Sequence, residues 1–434
     1  MRTLIQSLPS HIGEQVIIKW YVYTLRDKGK IAFLIVRDHT GLTQCVLESV
    51  DEIAKLHGTQ LGTVISITWT VKDASQTKYG VELGDCMVTI LNAVTTANDI
   101  DISKETINLE IDGLLDHRMW TLRHPYWTQV FQVAAVAEST IRLFFEQNGF
   151  TQINSPKLIG FPTEWGAEIF SMEYFGKTAY LAQSPQFYKQ AMVAVFDRVY
   201  EIGRAYRAEK SNTSRHMSEI LMLDMEMWFI DSFEDILQMT EQFITYTINT
   251  TWDRAWDKLT KLGAVRPLVP QSIPRITVTA LHDLMFAETG EDFRTDLDVA
   301  PAEERFICDY AAKNWWSDLV FVTEFPWSDA KFYHHQNRIN PAVADRADLL
   351  FRWVELATTT QREVNYEHLI QQIKDKGINP DQPGLEHYLD SFKYGMPEEG
   401  GFGFGIARFI QKLIGLSNVK EAELFPRDTT RLTP

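Results

Sequence analysis

The spacing of apolar residues changes period once along the chain. In "QVIIKWYVYTL", "KIAFLIVRD", "LTQCVLESV", "GTVISITWTVKD" and "VELGDCMVTILN" apolar and polar residues partly alternate, and Gly and Asp turns such as "DHTG" separate the runs. Alternation puts successive side chains on opposite faces, so residues 1–96 are expected to form five short strands. Strands this short and this close together suit a small barrel, of OB-fold or SH3-like type. The polar, aperiodic "TTANDIDISKETINLEIDG" that follows reads as a hinge, placed over 97–125. From Pro125 the spacing becomes helical in "YWTQVFQVAAVAESTIRLFFEQNGF", with Gly149 as a stop signal. Further on, the helical "FEDILQMTEQFITYTINTTWDRAWDKL" alternates with strand-like "LVFVTEF" and "GFGFG". Residues 126–434 are therefore expected to form a larger α/β or α+β domain.

Two stretches break these patterns. In "GGFGFGIARF", residues 400–409, glycine falls at 401, 403 and 405, leaving one face of a strand without side chains. Glycine weakens a strand, so a bare face implies something that must lie close to it. The spacing is not the dinucleotide fingerprint, because Ile406 stands where its third glycine is required and the third glycine here, Gly405, comes too early. In "YRAEKSNTSRHMSEILMLDMEMWF", residues 206–229, a polar loop separates Arg207 and Glu209 from Arg215 and His216. Asp224 and Glu226 then share a face inside an apolar run, and buried carboxylates need partners.

Composition narrows the class. A chain of 434 residues is too long for one small core. Its 45% hydrophobic and 23% charged residues are ordinary for a globular protein in water. A net charge of −16 argues against nonspecific coating of nucleic acid, while leaving room for a local basic surface. Cys45, Cys86 and Cys308 lie far apart without metal-ligand spacing and suit a reducing cytosol. "MRTLIQSLPSHIGEQ" lacks a signal-peptide core and no run of 18 apolar residues occurs, so a cytoplasmic protein without a membrane span is expected.

Together these stretches resemble the class II aminoacyl-tRNA synthetases. "GFGFGIARF" is similar to their motif 3, "YRAEKSNTSRH" to motif 2, and "NGFTQINSPKLI", with Pro156, to motif 1. "TEWGAEIF", "QSPQFYKQ" and "LFPRDTTRLTP" are similar to the aspartyl/asparaginyl subgroup, in particular the compact archaeal-type aspartyl enzymes. The resemblance covers essentially the whole chain. It implies an α+β architecture: a five-stranded OB-fold barrel that binds the anticodon, then a class II catalytic domain whose antiparallel sheet is flanked by helices. It implies activation of L-aspartate by ATP with Mg²⁺, then transfer to tRNA(Asp), with tRNA(Asn) an open second acceptor, by a homodimer paired through motif 1. A divergent relative that loads another acceptor, or serves as an inhibitor-resistant duplicate, is the alternative.

The resemblance also implies residue roles. Arg207 and Arg408 would be the catalytic cations, Arg207 on the α-phosphate and Arg408 with His216 on the β- and γ-phosphates. Glu209 would accept from the adenine amino group, with Gly401, Gly403 and Gly405 permitting close approach of the ring. Asp348 and Glu355 would hold Mg²⁺, and Glu355 would also reach ATP. Lys189 and Arg362 would clamp the aspartate side-chain carboxylate, Thr358 would line its pocket, and Glu164, Gln186 and Asp224 would hold its amino group. In the barrel, Phe33, Gln44 and Glu82 would contact the anticodon.

The chain departs from the family at places usually kept small. Trp165 stands in the "TEGG" stretch, Trp353 in "RGVE", Thr359 and Thr360 for the glycines of "SSGGQRE", and Ala407 for an acid before Arg408. In the barrel "AGWV" reads Lys19-Trp20-Tyr21-Val22, and in the hinge Leu114 replaces an arginine. Crowding of the amino acid pocket by Trp165, Trp353 and Thr358 to Thr360 is the expectation.

Overall fold

Ala32, Leu34 and Val36 point inward on one strand and Phe33 and Ile35 outward, the alternation that lets a small sheet close around its own apolar face. The computed structural model describes residues 2–75, 79–164, 168–382 and 384–434. Five strands, β1 (Gln15–Asp27), β2 (Ala32–Arg37), β3 (Leu42–Leu47), β4 (Val64–Ala74) and β5 (Gly80–Asn92), form a closed barrel in the order β1-β2-β3-β5-β4. This is the OB-fold arrangement. Ile18, Ile67, Trp69 and Leu83 fill its core. A helix, α1 (Val50–Lys55), separates β3 from β4 and is N-capped by Ser49. Six residues are too few for a helical period to show in the sequence.

The chain parts into two units, Met1–Thr128 and Gln129–Pro434. The polar segment after the barrel carries two short helices, α2 (Ile111–Asp116) and α3 (Arg118–Thr121). The long helix α4 (Pro125–Gln147) follows. The second unit is built on an eight-stranded sheet. Its strands are β6 (Thr151–Gln152), β10 (Arg198–Tyr206), β11 (Glu219–Trp228), β12 (Arg275–Thr277), β13 (Leu319–Thr323), β14 (Arg346–Phe351), β15 (Val354–Gln361) and β16 (Glu399–Gly405). They run in the order β12-β13-β14-β15-β16-β11-β10-β6, antiparallel except at the two edges. A small sheet of β7 (Leu158–Ile159), β9 (Lys177–Leu181) and β8 (Ser171–Tyr174) lies apart.

Helices flank the large sheet: α5 (Gln186–Phe196), α6 (Phe233–Lys261), α7 (Val278–Thr289), α8 (Pro301–Asn314), α9 (Tyr366–Asp375), α10 (Glu386–Lys393) and α11 (Ile406–Ile414). α6 starts at a capping box in which the Asp235 carboxylate accepts from the Ser232 amide at 3.0 Å. Its Phe243 packs 5.3 Å from the Phe402 ring and 5.2 Å from Phe404, so the apolar side of the glycine strand faces this helix. Arg408 lies in the first turn of α11, directly after the strand. Cys45, Cys86 and Cys308 are buried free thiols. No helix among the described residues is long and apolar enough to cross a membrane.

Candidate active site

Pairing register decides which side chains meet, because directly opposed residues of an antiparallel ladder share a face. One row across the sheet runs Asp348, Thr358, Gly403, Asp224, Glu201. The next runs Arg346, Thr360, Gly401, Glu226. A third aligns Gly405, Met222 and Gly203. Residues distant in sequence thus reach one face of the sheet. The opposite face turns to α6, where the Thr359 hydroxyl lies 3.3 Å from that of Thr240.

Glu355 joins the first face through an irregularity. Leu349 opposes Ala357 but Leu350 opposes Glu355, which makes Leu356 the extra residue of a β-bulge. Strict alternation would send Glu355 to the helix side with Ala357 and Thr359. The bulge instead brings it beside Thr358, whose hydroxyl donates to Glu355 Oε1 at 2.9 Å.

Gly403 and Gly405 line a cavity together with Arg207, Glu209, His216, Glu355, Ala407 and Arg408. A Cβ at Gly403 would meet Asp224 and the Met222 methyl only at van der Waals distance. Gly401 behaves differently: a Cβ there would land on the Met225 carbonyl and the Glu226 carboxylate. The bare face at Gly401 is therefore used by the neighbouring strand and not by the cavity, which corrects the expectation for that glycine. Arg207 Nε is buried without a hydrogen-bond partner among the described residues. A guanidinium in that condition invites an anion. Arg408 Nη1 donates to the Glu355 carbonyl at 2.9 Å and lies 3.5 Å from its carboxylate. His216 Nδ1 meets the Thr213 hydroxyl at 2.7 Å. Burial, then the Arg408 charge, hold its imidazole below the usual value.

Beside the cavity lies a buried cluster of charges. Lys189, in the first turn of α5 and 1% exposed, reaches Asp224 at 3.0 Å and Glu226 at 3.3 Å. Arg362 donates to Glu226 from Nε at 2.7 Å and from Nη2 at 3.1 Å, while its Nη1 meets the Thr360 hydroxyl. Lys189 and Arg362 do converge on one carboxylate, but in this structure that carboxylate is the chain's own Glu226. Burial raises the Asp224 carboxyl against the pull of Lys189. Gln186 donates to Gln190 at 2.9 Å, and Gln190 donates to Glu399 at 2.8 Å. Glu164 accepts from Ser184 at 2.7 Å and from the Tyr333 hydroxyl at 2.9 Å.

Asp348 and Glu355 face each other's charge within the same site. Burial raises the Asp348 carboxyl to about 7, with Arg346 opposing and Glu355 adding repulsion. Burial would raise Glu355 as well, but Arg408, the Thr358 hydroxyl and Arg346 outweigh it and hold that carboxyl below its ordinary value. Arg346 grips Asp348 with Nη2 at 2.9 Å and Nε at 3.4 Å, leaving the carboxylate's other lone pairs available. Among the described residues no three His, Cys, Asp or Glu side chains gather as a metal cage. Two carboxylates fit Mg²⁺, an ion that takes few protein ligands and completes its shell with phosphate and water.

The crowding expectation is corrected in part. Thr358 and Thr360 stand on the site face, but Thr359 packs on α6. Trp353 sits at the tip of the β14–β15 hairpin, where its indole donates to Asp309 at 2.6 Å and Lys412 lies over its ring, away from the cavity. Ala407 lines the cavity. Trp165 lies outside the described residues. In the barrel, Phe33, Gln44 and Glu82 project outward from β2, β3 and β5, and Gln44 donates to Glu82 at 3.1 Å. Sequence reasoning missed Arg346, Glu201, Glu399 and Tyr333. Alternation would have put Arg346 on the face of Asp348, two residues on, but nothing local marks the other three.

A family model described as tRNA synthetases class II (D, K and N) matches residues 110–429. The aspartate–tRNA(Asp/Asn) ligase of Thermus thermophilus is 36% identical over 434 residues, all of both chains. The aspartate–tRNA(Asp) ligase of Thermococcus kodakarensis is 35% identical over 97% of each chain. A solved asparaginyl-tRNA synthetase of Pyrococcus horikoshii, complexed with asparaginyl-adenylate, superposes over the whole of both chains with a TM-score of 0.92 and 26% identity. The chain belongs to the class II tRNA synthetases, within their D, K and N group.

Proposed function

We propose that the chain is an aspartate–tRNA ligase, which activates L-aspartate with ATP and passes the aspartyl group to tRNA(Asp), with tRNA(Asn) an open second acceptor. The supporting observation is the placement of the buried Lys189–Arg362 cation pair on the same sheet face as the arginine-lined cavity. Full-length relatives named aspartate–tRNA ligases point the same way.

In the first step an aspartate carboxylate oxygen attacks the α-phosphorus of ATP and pyrophosphate leaves. In the second, a terminal ribose hydroxyl of the tRNA attacks the adenylate carbonyl and AMP leaves. Neither step needs a protein nucleophile; alignment and charge neutralisation carry the chemistry. Arg207, whose Nε has no hydrogen-bond partner among the described residues, binds the α-phosphate. Arg408 and His216 take the β- and γ-phosphates. Glu209 orients adenine beside Gly403 and Gly405. Asp348 and Glu355 would hold Mg²⁺ beside the nucleotide, where the ion would supply neutralisation of phosphate charge. Glu164, Gln186 and Asp224 orient the amino group, Thr358 lines the pocket, and Lys189 and Arg362 attract the side-chain carboxylate.

The barrel, residues 1–96, reads the anticodon through Phe33, Gln44 and Glu82, and 97–125 links it to the catalytic domain, 126–434. Two copies pair through α4, and the enzyme works in the cytoplasm. The Thr360 hydroxyl on Arg362 favours a second reading, a divergent relative that activates an aspartate-like acid for another acceptor or resists inhibitors. Pyrophosphate exchange across a panel of amino acids, followed by charging of total tRNA, separates the two. Exchange with aspartate and charging of tRNA(Asp) is the expected result; exchange without charging selects the second reading.

A further inference from the structure

The loop between β10 and β11 carries Glu209 and His216 to the cavity, yet residues 211–214 are exposed. Such a loop loses conformational freedom when it closes on a ligand, unless something holds it beforehand. The C-terminal segment holds it at three points. Val419 donates from its amide to the Ser214 carbonyl at 2.8 Å. Ser218 donates from its amide to the Arg427 carbonyl at 2.8 Å. Between these, the Lys420 ammonium donates to Asn212 Oδ1 at 2.7 Å and to Asp428 Oδ2 at 2.5 Å.

Lys420 is 5% exposed, so a buried charge joins an exposed loop to the tail. Asp428 is occupied on its other oxygen as well: Oδ1 accepts from the Thr430 amide and the Arg431 amide, each at 2.8 Å. The tail is thus a folded anchor, and the lysine passes its rigidity to the loop. Nothing in the proposed chemistry uses Lys420, Asn212 or Asp428.

We propose that Lys420 is a positioning residue for the nucleotide: by holding Asn212 it fixes the loop that presents Glu209 and His216 to ATP. This rests on the reading of the cavity as an ATP site. Replacing Lys420 would leave Asp428 unpaired and could unfold the tail, so the test is made at Asn212, which is exposed. Asn212→Ala removes the tether while the Lys420–Asp428 pair stays, and Asn212→Asp replaces a hydrogen bond with an ion pair.

The full chain is assayed for MgATP binding by calorimetry, for the KM values of ATP and aspartate in pyrophosphate exchange, and for Tm. For Asn212→Ala the expected result is a rise of about tenfold in Kd and KM for ATP, the scale of one charge-assisted hydrogen bond. The aspartate KM and Tm stay unchanged, and Asn212→Asp stays near the parent. Unaltered ATP affinity in Asn212→Ala overturns the proposal, as does equal weakening in both variants. If the parent itself fails to bind MgATP, the reading of the cavity falls and the proposal falls with it.

Discussion

Arg362 lays its guanidinium along the Glu226 carboxylate, with Nε 2.7 Å from Oε1 and Nη2 3.1 Å from Oε2. Lys189 approaches the same carboxylate from the other side at 3.3 Å. Two cations and two carboxylates, Asp224 and Glu226, therefore balance inside the protein. A buried pair of this kind contributes little net stability while intact, but losing one partner is costly.

Lys189→Met should act on both folding and substrate. Leaving Asp224 without its cation is expected to lower stability by about 3–5 kcal/mol. Aspartate activation should fall by roughly two powers of ten, the scale of a charged hydrogen bond of about 3 kcal/mol. Denaturant unfolding and pyrophosphate exchange measure the two effects. Full activity in a destabilised variant would make Lys189 a purely structural cation.

The glycines of β16 should separate into two kinds. Gly401→Ala puts a methyl onto the Met225 carbonyl and the Glu226 carboxylate, so the variant should unfold at lower temperature or fail to accumulate. Gly403→Ala meets only ordinary contacts and should keep the parent Tm, while its methyl enters the cavity and weakens ATP binding by about tenfold or more. Equal Tm losses in both variants would contradict this division.

The threonines of β15 should likewise divide by face. Thr360→Gly releases Arg362 Nη1 and removes bulk from the site face, so bulky aspartyl-adenylate analogues should bind it more tightly than the parent. Thr359→Gly should cost about 1–2 kcal/mol of stability through lost packing on α6, with analogue affinity unchanged. Inhibition constants for the two variants decide it, and a gain confined to Thr359→Gly would reverse the assignment of faces.

A pH-dependent stability term lies away from the site, between α7 and α8. Glu303 Oε1 is 3.1 Å from His282 Nε2, and both side chains are buried. Burial pushes the Glu303 carboxyl up to about 7 and pulls the His282 imidazole below its usual value. The folded chain keeps a proton on Glu303 that the unfolded chain releases near its ordinary value of 4.5. This group's contribution is therefore present at low pH and is lost as pH rises toward about 7. His282 has the opposite sign, since the unfolded chain takes up a proton below 6.5 that the buried ring resists. Glu303→Gln keeps an acceptor for the Ala300 amide and removes only the first term. It should stabilise the protein by on the order of 2 kcal/mol at about pH 8 and by almost nothing near pH 4.5. A gain of equal size at both values, in thermal melts, would rule out titration of Glu303 as its source.

Local patterns made part of this site readable. Alternation alone put Asp224 and Glu226 on one face of an apolar strand, and their need for partners is met by Lys189 and Arg362. Glycine at every second position announced a close approach, though not that Gly401 and Gly403 serve different neighbours. What stayed hidden depends on pairing between distant segments. The facing of Glu355, the turn of Thr359 toward α6 and the Lys420 tether each follow from register or from the C-terminal segment meeting a distant loop. Helix α1 was too short to show a period, and the exposed position of Trp353 depends on a hairpin tip that no local spacing marks.

The extra residue at Leu356 acts as a change of parity in β15. On its C-terminal side the even-numbered Thr358 and Thr360 address the site; on its N-terminal side the odd-numbered Glu355 does. A regular ladder at the unchanged spacing of three residues would turn Glu355 to the helix side of the sheet with every side chain chemically intact, whereas deleting one residue between Glu355 and Thr358 would remove the bulge and leave the two on one face. A substitution in this strand alters one contact, whereas losing the bulge at unchanged length relocates a charge through the thickness of the sheet. The bulge that accompanies the three-residue spacing from Glu355 to Thr358 is thus a separate constraint on descendants and redesigns of this chain, one that a comparison of residue types alone would overlook.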